Sequence, residues 1–246
     1  MKKLAIITVC DYNYLFHFET FYKSFLLNET NDQVVLEHFY IYNNENEIDE
    51  FKKNYKILDN FKNININFIE FDSSYSSDIK IFCGHYRFTA LKYLMNLDKY
   101  YIVLYLDVDS FINKSVFNIC DEIKESFGVF LRINKIDNYC EKSTNTIIVN
   151  SRKKYRYDEN ETLILSGSIY SKCDNKSKIL VDRIIELMNN SNKEWSTDQI
   201  TLDKIFLDYV NKIDIHILQK TFLDFSCSKN TNIHFCKGVK FSWKRP

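Results

Sequence analysis

Proline occurs once in this chain of 246 residues, at its last position, and glycine only four times. Turns must therefore lean on Asn, Asp and Ser, whose short polar side chains close Asx-type turns and tolerate left-handed backbone. With so little Gly and Pro there is no Pro/Gly/Ser linker, and no internal repeat breaks the chain into units. Residues 1–246 read as one domain, near the size at which a single core stops growing. Residues 1–110 form one half of it and 111–246 the other.

Net charge is also missing. Lys+Arg and Asp+Glu are both 33, so no bulk field draws the chain to nucleic acid or to an anionic membrane. The seven cysteines are odd in number, scattered and without a CxxC pair, which argues against a disulfide scaffold and a zinc site and for a reducing, cytoplasmic home. No stretch approaches the ~20 apolar residues of a spanning helix. The opening run from Met1 to Cys10 is short and stops at Asp11, so it reads as a buried first strand rather than a signal peptide.

What is present is material for a large core: 45% of the residues are hydrophobic and 16% aromatic. Short β-branched runs, Leu4 to Cys10, Val35 to Ile41, Ile64 to Phe71 and Tyr101 to Asp107, alternate with helical spacings over Leu15 to Leu27, Glu45 to Leu58 and Gly84 to Leu97. This alternation predicts an α/β fold with a mostly parallel central sheet. Beyond it, extended runs are expected near Phe127 to Ile133, Thr144 to Val149 and Thr162 to Ser171. Helices are expected over Lys176 to Asn189 and Thr197 to Tyr209.

The sharpest chemical signal closes the fourth run. Tyr101 to Leu106 is apolar and is followed by Asp107-Val108-Asp109. Residues i and i+2 of an extended chain point the same way, so both carboxylates can converge on one ligand at the strand's carboxyl end, where open α/β sheets bind their ligands. Two hard oxygens suit Mg²⁺ or Mn²⁺, and such a metal suits a diphosphate.

Asp107-Val108-Asp109 resembles the DxD motif of GT-A glycosyltransferases, most closely the retaining family eight that includes glycogenin and lipopolysaccharide galactosyltransferases. Asp11-Tyr12-Asn13-Tyr14, with Lys23-Ser24 in the following helix, resembles that family's uridine-binding turn. His85-Tyr86-Arg87-Phe88 resembles its helix start with a donor-facing arginine. Leu165-Ser166-Gly167-Ser168 resembles its Asn-Ala-Gly segment, with Leu in place of Asn, and Thr197-Asp198-Gln199 its Asp-Gln pair. His234 to Trp243 is similar to its His-x-x-Gly-x-x-Lys-Pro-Trp ending, with Gly238 and Trp243 one place late and Pro absent.

The resemblance implies a Rossmann-like GT-A fold and transfer of a hexose-type sugar from a nucleotide diphosphate, with UDP as the carrier, to a glycan, lipid-linked or protein acceptor, with retention. Asp107, Asp109 and His234 would hold Mn²⁺ or Mg²⁺, with Asp107 shared with the ribose. Asp11, Asn13 and Tyr14 would touch base and ribose. Arg87, Ser166, Gly167, Gly238 and Lys240 or Lys237 would meet the rest of the donor, while Asp198 and Gln199 would sit at the sugar. His85 reads as a packing or helix-start residue. The basic and aromatic ending, Lys240 to Pro246, could touch a membrane surface but is too short for an anchor.

Three other readings use the same residues. A haloacid-dehalogenase-like phosphatase would make Asp107 a nucleophile, but such enzymes carry the pair on their first strand. A sugar-nucleotide-forming nucleotidyltransferase would need a Gly-rich loop after its first strand, and Cys10-Asp11-Tyr12-Asn13 has no glycine. A non-catalytic binding scaffold would have little reason to retain Asp107, Asp109, His234 and Gln199 together.

Overall fold

The computed structural model describes residues 3–131, 145–149, 153–157, 164–209, 215–218, 223–224 and 231–235. Strand β1 (Lys3–Asp11) is followed by helix α1 (Leu15–Asn28), β2 (Val34–Tyr42), α2 (Glu45–Asn54), β3 (Ile64–Glu70), α3 (Ile79–Asn96) and β4 (Tyr100–Leu106). Then come β5 (Ser110–Ile112), the short α4 (Phe117–Glu122), β6 (Phe127–Leu131), β7 (Asn145–Val149), β8 (Lys153–Tyr157) and β9 (Ile164–Lys172). The chain continues through α5 (Asn175–Asn189), α6 (Thr197–Tyr209), β10 (Ile215–Ile217), β11 (Leu223–Asp224) and β12 (Ile233–Phe235).

Seven strands form the central sheet in the order β10-β6-β9-β4-β1-β2-β3. β1 runs parallel to β2 and β4, and β2 parallel to β3, whereas β9 is antiparallel to both β4 and β6. The mostly parallel sheet expected from the alternating runs is therefore present. β1 and β2 are covered on both faces, which is why they read as continuous apolar runs. Successive β1 residues serve opposite layers: Ala5, Ile7 and Val9 pack with α3, α5 and α6, while Leu4 and Ile6 pack with α1.

Asp and Asn do the capping that the scarcity of Gly and Pro implied. Asn44, Asp78 and Asp174 each accept a backbone N–H in the first turn of α2, α3 and α5, a contribution of about 1 kcal/mol apiece. Asp78 also corrects the expected start of α3. The helix begins at Ile79 rather than Gly84, so His85 and Arg87 lie two turns inside it. A Cβ added at Gly84 would meet Arg87 Nη2 at 3.5 Å, an ordinary contact, so the helix does not require glycine there.

A second, three-stranded sheet, β11-β12-β5, sits after the DxD segment. β12 runs antiparallel to β5, with His234 opposite Phe111. The remaining two strands, β7 and β8, pair as an antiparallel hairpin. No helix among the described residues is long and apolar enough to cross a membrane.

Candidate functional site

β1 ends at Asp11, which is buried and turns the chain into a single 3₁₀ turn, Tyr12–Tyr14. Its Oδ1 accepts the Asn13 backbone N–H at 3.0 Å and its Oδ2 accepts the Asn13 side-chain amide at 3.2 Å. Asn13 thus clamps Asp11 from outside the cleft, while Asp11 and Tyr14 line it.

β4 ends in the DxD segment, and here the reason for convergence differs from the expected pleat. Ser110 donates to the Asp107 carbonyl through both its backbone N–H, at 3.0 Å, and its hydroxyl, at 2.6 Å. The four residues 107–110 form a tight turn rather than an extended run. Asp107, Val108 and Asp109 all line the cleft.

The third wall comes from a β-bulge. β6 and β9 pair up to Val129 with Ile169 and resume at Phe130 with Leu165, so residues 166–168 are displaced from the β6 ladder. Bulges of this kind re-aim groups next to active sites. Gly167 uses its carbonyl to accept the Asp107 backbone N–H at 2.9 Å, and Ser166 lines the cleft and turns its carbonyl toward Arg87.

Arg87 joins these walls. Its Nη1 donates to Asp107 Oδ1 at 3.3 Å and to the Ser166 carbonyl at 2.8 Å, its Nε to the Gly84 carbonyl, and its Nη2 lies 3.1 Å from Asp198 Oδ2 as an ion pair. The guanidinium is also stacked 5.0 Å from the Tyr105 ring. Burial opposes its charge, but Tyr105 and the carboxylates of Asp198, Asp107 and Asp109 outweigh it and hold the pKa above the usual arginine value. Tyr105 in turn donates to Asp107 Oδ1 at 2.8 Å, and burial pushes its phenol pKa far up, so it stays a neutral donor.

Asp198 and Gln199 open α6 and reach the same cleft. Gln199 Nε2 donates to the Ile164 carbonyl at 2.7 Å, which ties the amide to the start of β9. The structure therefore gathers Asp11, Tyr14, Arg87, Asp107, Asp109, Ser166, Asp198 and Gln199 around one space, although their sequence positions span most of the chain. His85 does not join them as a ligand. Its Nδ1 meets the Tyr75 hydroxyl at 2.9 Å and its Nε2 the Glu194 carbonyl at 3.2 Å, and burial lowers its pKa.

His234 is buried and packs its ring 4.7 Å from that of Phe111, two residues beyond Asp109, but it does not line the cleft. Lys237, Gly238 and Lys240 lie outside the described residues. Among the described residues no three His, Cys, Asp or Glu groups are gathered as a metal cage. Mg²⁺-type sites that handle phosphates commonly use only one or two carboxylates and complete themselves with phosphate oxygens and water. The pair Asp107 and Asp109 facing the cleft fits that kind of site.

The cleft residues that had not been singled out from the sequence include Lys80, Cys83, Tyr105 and Trp195. Lys80 stands seven residues before Arg87, two turns along one helix face, a spacing that points to a shared wall once α3 is started correctly. Burial raises the thiol pKa of Cys83 and of its cleft neighbour Cys10, so neither is a ready thiolate nucleophile.

No family model matches the chain, and no curated protein matches it in sequence. Solved structures do match in shape. The apo bifunctional glycosyltransferase WbbM superimposes with a TM-score of 0.58 at 11% identity, over 90% of this chain and 40% of that one. The glycosyltransferase GlyE of Streptococcus pneumoniae follows at 0.54 and 15%, over 90% and 46%. The chain carries the GT-A glycosyltransferase fold. Mouse xyloside xylosyltransferase 1 is similar at 0.51 and 10% identity, over 90% of this chain and 86% of that one. The chain spans less than half the length of WbbM or GlyE. Asp107 follows the fourth strand of the chain, β4, and not the first.

Proposed function

We propose that the protein is a metal-dependent glycosyltransferase that moves a hexose from a UDP-sugar to a glycan, lipid-linked or protein acceptor with retention, as in family eight. The observation that carries the reading is the meeting of Asp107 and Asp109 with Asp198 and Gln199 in one cleft, with Arg87 bonded to Asp107 and paired with Asp198.

In this reading Asp11 and Tyr14 orient the nucleoside, Asp11 being held in place by Asn13. Asp107 and Asp109 would hold Mn²⁺ or Mg²⁺ at the donor phosphates. The bound cation would supply charge to neutralise the departing diphosphate. As the bond from the anomeric carbon to phosphate breaks and the bond to the acceptor oxygen forms on the same face, the electron pair leaves with the nucleotide and the acceptor hydroxyl's proton passes to the departing diphosphate oxygen. Asp198 orients the sugar hydroxyls, and Gln199, anchored on the Ile164 carbonyl, lies beside the reacting carbon. Arg87 fixes both carboxylate walls, and Lys240 or Lys237 adds positive charge at the phosphates. Catalysis is then positioning and electrostatic stabilisation more than covalent chemistry.

A panel of nucleotide sugars, assayed for Mn²⁺-dependent thermal stabilisation and donor hydrolysis, tests this. Stabilisation by UDP or a UDP-sugar that disappears in EDTA is the expected result. Phosphate release from p-nitrophenyl phosphate without nucleotide-sugar turnover would overturn it, and donor binding without any turnover would make the protein a binding scaffold. The cytoplasm is the proposed location, with any membrane contact made through the ending Lys240 to Pro246.

A further inference from the structure

Nine large hydrophobic side chains are exposed among the described residues, and Trp195, 62% exposed, is the one of them that lines the cleft. Exposed apolar residues scattered singly over a surface are ordinary and need no explanation. An exposed indole on the wall of a cleft that also holds Asp107, Asp109, Asp198 and Gln199 is a different matter, because it sets a flat aromatic face beside a group of hydrogen-bonding side chains.

The segment that presents the indole is fastened at several points. Thr197 Oγ1 donates to the Asn192 carbonyl at 2.6 Å and accepts the Glu194 backbone N–H at 3.1 Å. The Glu194 carbonyl meets His85 Nε2 at 3.2 Å, and His85 is itself held by Tyr75 at 2.9 Å. Trp195 is therefore anchored to α3 from one side and to the head of α6 from the other, three residues before Asp198. A rigid aromatic with two side-chain torsions is a contact surface that costs little entropy to order.

We propose that Trp195 is a stacking platform for a pyranose ring of the acceptor. A sugar's C–H face carries partial positive charge and no strong hydrogen-bonding group, which matches the negative face of the indole, while the hydroxyls on its rim meet the carboxylates and amide deeper in the cleft. The position favours the acceptor over the donor. In the proposed reading Asp11 and Tyr14 take the nucleoside and Asp198 and Gln199 the transferred sugar; Trp195 stands three residues before Asp198 and is 62% exposed, so its indole is open to the molecule that arrives from solvent. The proposal rests on the glycosyl-transfer reading and deepens it by naming a carbohydrate acceptor and the residue that receives it.

The probes are maltose, lactose, cellobiose and chitobiose at millimolar concentration, followed by saturation-transfer NMR and tryptophan fluorescence with UDP and Mn²⁺ present. At least one disaccharide is expected to receive saturation on its pyranose C–H protons and to shift the indole emission. Trp195→Ala should weaken that disaccharide about tenfold, Trp195→Phe should retain part of the binding, and both variants should keep the wild-type melting temperature and the UDP response. No contact from any disaccharide, or contact unchanged in Trp195→Ala, overturns the proposal. If UDP stabilisation persists in that case, the acceptor platform alone has failed. If UDP stabilisation is absent as well, the transferase reading has failed with it.

Discussion

Arg87 Nη2 stands 3.1 Å from Asp198 Oδ2 while Nη1 of the same guanidinium donates to Asp107 at 3.3 Å, so one buried cation links the end of β4 to the head of α6. Both contacts are largely shielded from water, with side-chain exposures of 8% for Arg87, 16% for Asp107 and 4% for Asp198. Removing one partner of such a set leaves buried charge uncompensated, which typically costs 3–5 kcal/mol. Arg87→Met is expected to lower the unfolding free energy by about that amount in urea titrations. Arg87→Lys should recover only part of it, because an ammonium cannot bridge two carboxylates and the Ser166 carbonyl as a planar fork does. A wild-type midpoint for Arg87→Met would show that the linkage carries no stability.

Asp109→Asn keeps the side-chain shape and removes the charge that a hard cation requires. It is expected to stay folded and to lose about a hundredfold or more in Mn²⁺-dependent turnover, the equivalent of several kcal/mol of leaving-group stabilisation. Asp121→Asn is the matching control. Asp121 accepts the Tyr101 hydroxyl, at 3.0 Å on the surface, and its variant should leave turnover within about twofold. Near-normal metal-dependent transfer by Asp109→Asn would remove the DxD segment from the mechanism.

Gln199→Ala separates chemistry from binding. Its amide is anchored on the Ile164 carbonyl, and the reading places it by the sugar rather than by the nucleotide. Turnover is expected to fall far more than UDP affinity. Equal losses in kcat and in UDP binding, measured by calorimetry, would move Gln199 away from the reacting carbon.

The acid limb of stability should depend on His38. It is fully buried, stacked 3.7 Å from Phe18 and hydrogen-bonded to Thr8 at 2.8 Å, and burial pushes its pKa down to about 3. The folded pKa lies below the unfolded value of about 6.5, so the unfolded chain binds the extra proton. Stability from this group is complete above pH ~6.5 and is lost as the pH falls toward 3, at about 1.4 kcal/mol per pH unit. His38→Gln should flatten the melting-temperature profile across that window relative to wild type. Parallel profiles would assign acid sensitivity to other groups.

The order of elements and the parallel half of the sheet were legible in the sequence, because buried strands and amphipathic helices write their periods directly into residue type. The DxD pair was legible from its place at a strand end, whereas Asp11, Arg87, Asp198 and Gln199 were candidates through the family resemblance. Tertiary structure alone decided which of them meet. The bulge that displaces residues 166–168 depends on the register between β6 and β9, which strands more than thirty residues apart do not encode locally. The turn at Asp107 to Ser110 replaced the expected pleat because a single serine donates twice to one carbonyl. Tyr105 and Trp195 carried no signal of their own: a tyrosine inside an apolar strand and a tryptophan in a loop resemble any other aromatic until the fold turns one toward Asp107 and sets the other on the wall of the cleft.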